Sequence, residues 1–121
     1  MEDCKDTDIL AITTTVGTRT DADALARAIL ERRLAACVQV EEGLTSFYRW
    51  EGRACEDAEL RLTLKTLPEC ERALLALFEA EHPYDVPQFL AVRMRASAAY
   101  HAWARGEVSS PPMRGGEPDP V

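Results

Sequence analysis

The chain has 121 residues, 46% of them hydrophobic and 29% charged, with 14 Lys+Arg against 21 Asp+Glu and a net charge of −7. One folded domain suits that length and composition. The acidic balance opposes nucleic-acid binding, which relies on Lys and Arg displacing counterions from phosphates, and no apolar stretch approaches the ~20 residues of a membrane helix.

The start, Met1-Glu2-Asp3-Cys4-Lys5-Asp6, is acidic where a signal peptide is basic, so a cytoplasmic location is expected. Ile9 to Val16 is a β-branched run between Asp8 and Gly17 and predicts a largely buried strand. Thr20-Asp21-Ala22-Asp23 then predicts a helix start, with acids where the dipole favours them. Leu25 and Ile29 mark its buried stripe, and the spacing extends the helix over about 21–34.

Ala36 to Trp50 predicts a long strand, interrupted at Gly43 by a bulge or bend. Beyond Gly43, Leu44, Ser46, Tyr48 and Trp50 share one face and Thr45, Phe47 and Arg49 the other. Glu51-Gly52-Arg53 predicts a hairpin turn. In the return strand, 55–66, Leu60, Leu62 and Leu64 alternate with Glu59, Arg61, Thr63 and Lys65. One face therefore packs on helices and the other carries charge.

Pro68 suits the first turn of a second helix, with Cys70, Ala73, Leu74, Leu77 and Phe78 as its apolar stripe and His82-Pro83 as its stop. A turn through Pro87 leads to a fourth strand, Gln88 to Met94, and a short helix, Ser97 to Ala104. Residues 1–105 form the expected domain. The Pro- and Gly-rich segment 106–121 is expected to be disordered, because it cannot bury enough apolar area to offset its ordering entropy.

The order β-α-β-β-α-β plus a terminal helix predicts an α+β, ferredoxin-like sandwich. Its hairpin is too long for the sheet, so a ribbon carrying Phe47, Tyr48 and Trp50 overhangs. An uncovered sheet face and an aromatic ribbon point to self-association.

Several segments resemble the CutA (divalent-cation tolerance) family: Leu34-Ala35-Ala36-Cys37-Val38, Ser46-Phe47-Tyr48-Arg49-Trp50-Glu51-Gly52, Glu59 through Thr66, and His82-Pro83-Tyr84 with Val86-Pro87. Thr13-Thr14 and Ala99-Tyr100 with Trp103 fit as well, all in order between Ile9 and Trp103. The resemblance implies a homotrimer of ferredoxin-like subunits, similar to the PII signalling proteins, linked to tolerance of copper and other divalent cations. Two departures concern the C-terminal end: Arg93-Met94-Arg95-Ala96-Ser97 lacks the glycine-containing turn usual there, and the tail has no counterpart.

His82, Tyr84, Lys65, Glu59 and Cys37 match positions of the family motif, and the resemblance implies that several of them gather near a cleft between subunits. His82 and Cys37 are candidate ligands for copper or another divalent cation, as an imidazole and a soft thiolate. Each also fits a structural role: His82 a hydrogen bond at the helix end, Cys37 core packing. One His and one Cys per chain would need donors from neighbours or solvent to complete four ligands. Glu59 and Lys65 lie about 20 Å apart along one strand and cannot pair, leaving Arg61 as Glu59's nearer neighbour. Tyr48 and Trp50 could stack on a ligand or anchor an interface.

These readings favour a trimeric metal-tolerance protein that binds or regulates and requires no cofactor. An enzyme or small-metabolite sensor using the intersubunit cleft is the alternative. No C-x-x-C pair links Cys4, Cys37, Cys55 and Cys70, which excludes the paired-cysteine metallochaperone pattern. The third strand lacks the glycine–aromatic motif of RNA-recognition modules.

Overall fold

The computed structural model describes residues 6–108. In chain order the elements are β1 (Asp8–Val16), α1 (Arg19–Glu31), β2 (Cys37–Trp50), β3 (Arg53–Thr66), a 3-10 turn (Pro68–Cys70), α2 (Glu71–Glu81), β4 (Leu90–Arg95) and α3 (Ala98–Glu107). The strands form one sheet in the order β2-β3-β1-β4, antiparallel throughout. This is the split β-α-β arrangement expected of a ferredoxin-like α+β sandwich. Among the described residues no helix is long and apolar enough to cross a membrane.

The core follows from two periodicities. In β1, Leu10, Ile12, Thr14 and Val16 alternate inward, and in β3 Leu60, Leu62, Leu64 and Thr66 do the same. Ile29 of α1 and Leu74 and Phe78 of α2 close over them. Burying each such aliphatic side chain contributes about 1.5–3 kcal/mol of transfer free energy.

Helix α1 begins and ends two or three residues earlier than its spacing predicts. Its cap is Thr18, whose hydroxyl accepts the Asp21 N–H at 3.0 Å, satisfying one of the orphan donors of the first turn. It stops because Arg33 takes a left-handed conformation at φ 56°. The Arg33 N–H then donates to Leu30 and the Leu34 N–H to Ile29. This is a Schellman closure, in which buried Leu34 packs near the helix it ends. Arg32 and Arg33 therefore lie past the helix end, although a helix over 21–34 would place them in its last turn.

The β2–β3 ribbon matches its predicted shape. Its register shifts between Glu41 and Leu44, at Gly43 with φ 84°. The tip is the two-residue turn Glu51-Gly52, both at positive φ, whose twist matches the hairpin. The second helix opens with the 3-10 turn at Pro68 before becoming α-helical at Glu71. Strand β4 starts at Leu90, two residues later than predicted, after irregular chain over 83–89, and runs one residue further, to Arg95.

At the other end α3 outruns its expectation. Ser97 caps it through the Tyr100 N–H at 3.1 Å, and the helix runs to Glu107 with Val108 buried. Arg33 donates to the Gly106 carbonyl and Arg105 pairs with Glu69. Residues 106–108, expected in the disordered tail, therefore belong to the described fold. The remainder of that expected tail lies outside the described residues.

Candidate functional site

Strand β4 pairs with β1 only as far as Thr13. Beyond Thr13, Thr15 near the end of β1 lines a groove together with Pro83 and Tyr84 of the loop after α2 and Ser46 and Tyr48 of the ribbon.

His82 caps α2, its N–H donating to the Phe78 carbonyl at 2.9 Å. Its ring turns inward and is only 8% exposed, 5.5 Å from the Phe78 ring. The Tyr84 N–H donates to Nδ1 at 3.1 Å. That donor assigns the ring proton to Nε2, which donates to Thr14 Oγ1 at 3.0 Å. Both nitrogens are satisfied, and burial holds the imidazole below its usual pKa, in the neutral form.

This bracing aims Tyr84, whose ring lies 5.1 Å from that of His82, around the end of β1. Its hydroxyl donates to Glu59 Oε2 at 2.6 Å. Burial and the bond to Glu59 raise the phenol's pKa, so it stays protonated. On the ribbon Tyr48 donates to Asp57, which pushes its pKa up to about 12. Glu59, Tyr84, Tyr48, Trp50, Phe47 and Asp85 are among the residues lining a solvent-open groove of about 620 Å³.

The predicted site residues thus fall into three places. Glu59, Tyr84, Tyr48 and Trp50 come together in the groove. His82 sits behind Tyr84, on the helix side of the sheet with Thr14. Cys37 and Lys65 pair across β2 and β3 on the opposite face, six positions along β3 from Glu59. Lys65 donates to Gln39 there at 3.0 Å.

His82 and Cys37 therefore do not converge in one subunit. Among the described residues no group of three or more His, Cys, Asp or Glu could hold a metal ion. Glu59's partner is Tyr84, while Arg61 bonds Glu41 at 3.0 Å. Sequence reasoning missed Asp57 as the anchor of Tyr48 and Thr14 as the partner of His82. The second left a trace, a hydroxyl at an inward position of an otherwise aliphatic strand.

A ferredoxin-like sheet with an overlong ribbon and an aromatic, acidic groove beside it places the chain in a class of small α+β proteins. The chain belongs to the CutA1 divalent ion tolerance protein family, whose model matches residues 10–107. It is 41% identical over 92 residues to the "Divalent-cation tolerance protein CutA" of Thermus thermophilus, covering 75% of this chain and 89% of that one. To "Protein CutA" of Homo sapiens it is 36% identical over 85 residues, covering 69% of this chain but spanning only 48% of the human protein. The solved structure of the Thermus thermophilus divalent cation tolerance protein superposes with a TM-score of 0.80 at 37% identity, covering 84% of this chain and 99% of that one.

Proposed function

We propose that the protein is a homotrimeric divalent-cation tolerance protein that binds or regulates and does not catalyse. The observation that carries this reading is the family match over 10–107, with relatives named for that tolerance. Assembly is supported by apolar surface that one subunit leaves bare. Leu90, Val92 and Met94 line the open face of edge strand β4, and Phe47 on the ribbon is 73% exposed. Contiguous apolar surface of this kind marks contact sites, and an edge strand offers unpaired backbone groups to a neighbour.

Binding is favoured over catalysis because the groups a hydrolytic mechanism would recruit are already engaged. His82 is bonded at both nitrogens, and Lys65 is far along the strand from Glu59. Copper or another divalent ion is the cargo, and its donors come from more than one subunit. Half-exposed Cys37 suits this better than enclosed His82. The test couples mass to metal. Light scattering should give three times 13.5 kDa, and copper(II) should titrate to a stoichiometric end point that is lost in a monomeric Val92→Glu variant. A monomeric wild type, or copper binding that persists in the monomer, would contradict a site shared between copies.

The groove supports a second reading, small-metabolite sensing at the subunit boundary, because aromatic walls suit an organic ligand better than a bare ion.

A further inference from the structure

The geometry points to the groove at the root of the ribbon as a binding site for a small organic cation, of the alkylammonium or quaternary ammonium type. This rests on the reading of that groove as a sensing site and names the chemistry of its ligand.

Three features of the groove converge on this class. Its aromatic walls are Tyr48, Trp50 and Tyr84, and among the described residues no lysine, arginine or histidine lines it. Aromatic faces attract cations through their quadrupole, most strongly when water is displaced, and such rings are the usual recognition element for alkylated ammonium groups. Anions find no positive partner there.

The acidic groups are held in suitable form. Glu59 accepts the Tyr84 hydroxyl on Oε2, while Oε1 has no partner among the described residues and is available to an ammonium N–H. Asp85 adds a second carboxylate on the loop side. Tyr84 is itself anchored by its backbone N–H on buried His82. Its ring and the carboxylate it touches therefore stand in place before a ligand arrives, which lowers the ordering cost of binding.

The third feature is a mismatch with a hard metal ion. Such an ion needs several oxygen donors converging at short range, whereas no cluster of three acidic, His or Cys groups is present among the described residues. A groove of about 620 Å³ is also in the size range of small-molecule pockets.

The experiment uses the full chain with Trp103→Phe, so that Trp50 is the one remaining tryptophan and its emission reports on the groove. Tetramethylammonium and butylammonium chlorides are titrated at constant ionic strength, with sodium chloride, sodium acetate and magnesium chloride as controls. Saturable emission changes are expected for both ammonium ions, with Kd of about 1 mM or tighter, and none for acetate. Glu59→Gln should weaken binding about tenfold, as loss of a charged hydrogen-bond partner does. Trp50→Leu, followed by calorimetry on the Trp103→Phe background, should weaken it as well. If Glu59→Gln does not fold, Asp85→Asn and Trp50→Leu carry the comparison.

The inference fails if emission follows only ionic strength, if the folded variants bind as well as the parent, or if magnesium or copper(II) displaces the ammonium ion at equal concentration. Light scattering on the same samples separates this outcome from the assembly reading. A trimer without ammonium binding overturns the inference alone, and a monomer that binds overturns the trimer alone.

Discussion

Strand β3 is two different environments joined end to end. From Glu59 to Thr66 every second residue is buried against the helices, while from Arg53 to Ala58 the strand is open almost throughout. Backbone pairing with β2 continues through both halves apart from the shift at Gly43. Hydrogen bonding therefore does not separate them. What differs is what lies above the sheet: α1 and α2 cover Glu59 to Thr66, and among the described residues no element covers Arg53 to Ala58. The lesson is that a hairpin's backbone can be specified by its turn and its alternation while the environment of its side chains is not.

The largest effect should come from the covered half. Leu62→Ala removes a fully buried side chain and should cost about 2–5 kcal/mol in urea unfolding; a loss under 1 kcal/mol would mean that this half is not a packed core. Thr14→Val should cost less, about 1–3 kcal/mol, by leaving the His82 Nε2–H buried without an acceptor. The same histidine gives a pH signature. Its folded pKa is lowered by burial, so the unfolded chain binds the proton more readily. The stability it contributes is present above the ordinary histidine pKa of about 6.5 and is lost as pH falls through the lower folded value. A thermal-unfolding series from pH 8 downward should show this decline in the wild type and lack it in His82→Gln. Matching slopes would remove His82 as its source.

The smallest intrinsic effect should come from the open half. Phe47→Ser should change the stability of the dilute subunit by about 0.5 kcal/mol or less. On the proposed trimer, any further loss relative to the wild type should appear at concentrations where the chain assembles and shrink on dilution. A concentration-independent cost as large as that of Leu62→Ala would erase the distinction between the two halves.

Much of this arrangement was legible in the chain. The alternation around Leu60, Leu62 and Leu64, the helical stripe through Leu74 and Phe78, and the turn at Glu51-Gly52 each carry a local signal with one structural solution. The boundaries of α1 were harder to read. Thr18 and Thr20 are equivalent caps by residue type, and an arginine in the left-handed conformation has no mark in the sequence as glycine does. For the groove, the family motif grouped Glu59 and Tyr84, together with Lys65, His82 and Cys37, while Tyr48 and Trp50 were read from their shared strand face. The separation of Cys37 and Lys65 from them follows from strand length. The direction of His82, and hence its engagement with Thr14, does not.

By itself the sequence determined the order of elements, the faces of the strands and the overlong ribbon, because these depend on periodicity and turn chemistry within a few residues. Tertiary structure alone decided that Tyr84 reaches Glu59 and that His82 Nε2 reaches Thr14. Those contacts join residues 25 to 68 positions apart. Whether two distant side chains meet is set by how the sheet and the loop pack, and no local pattern records it.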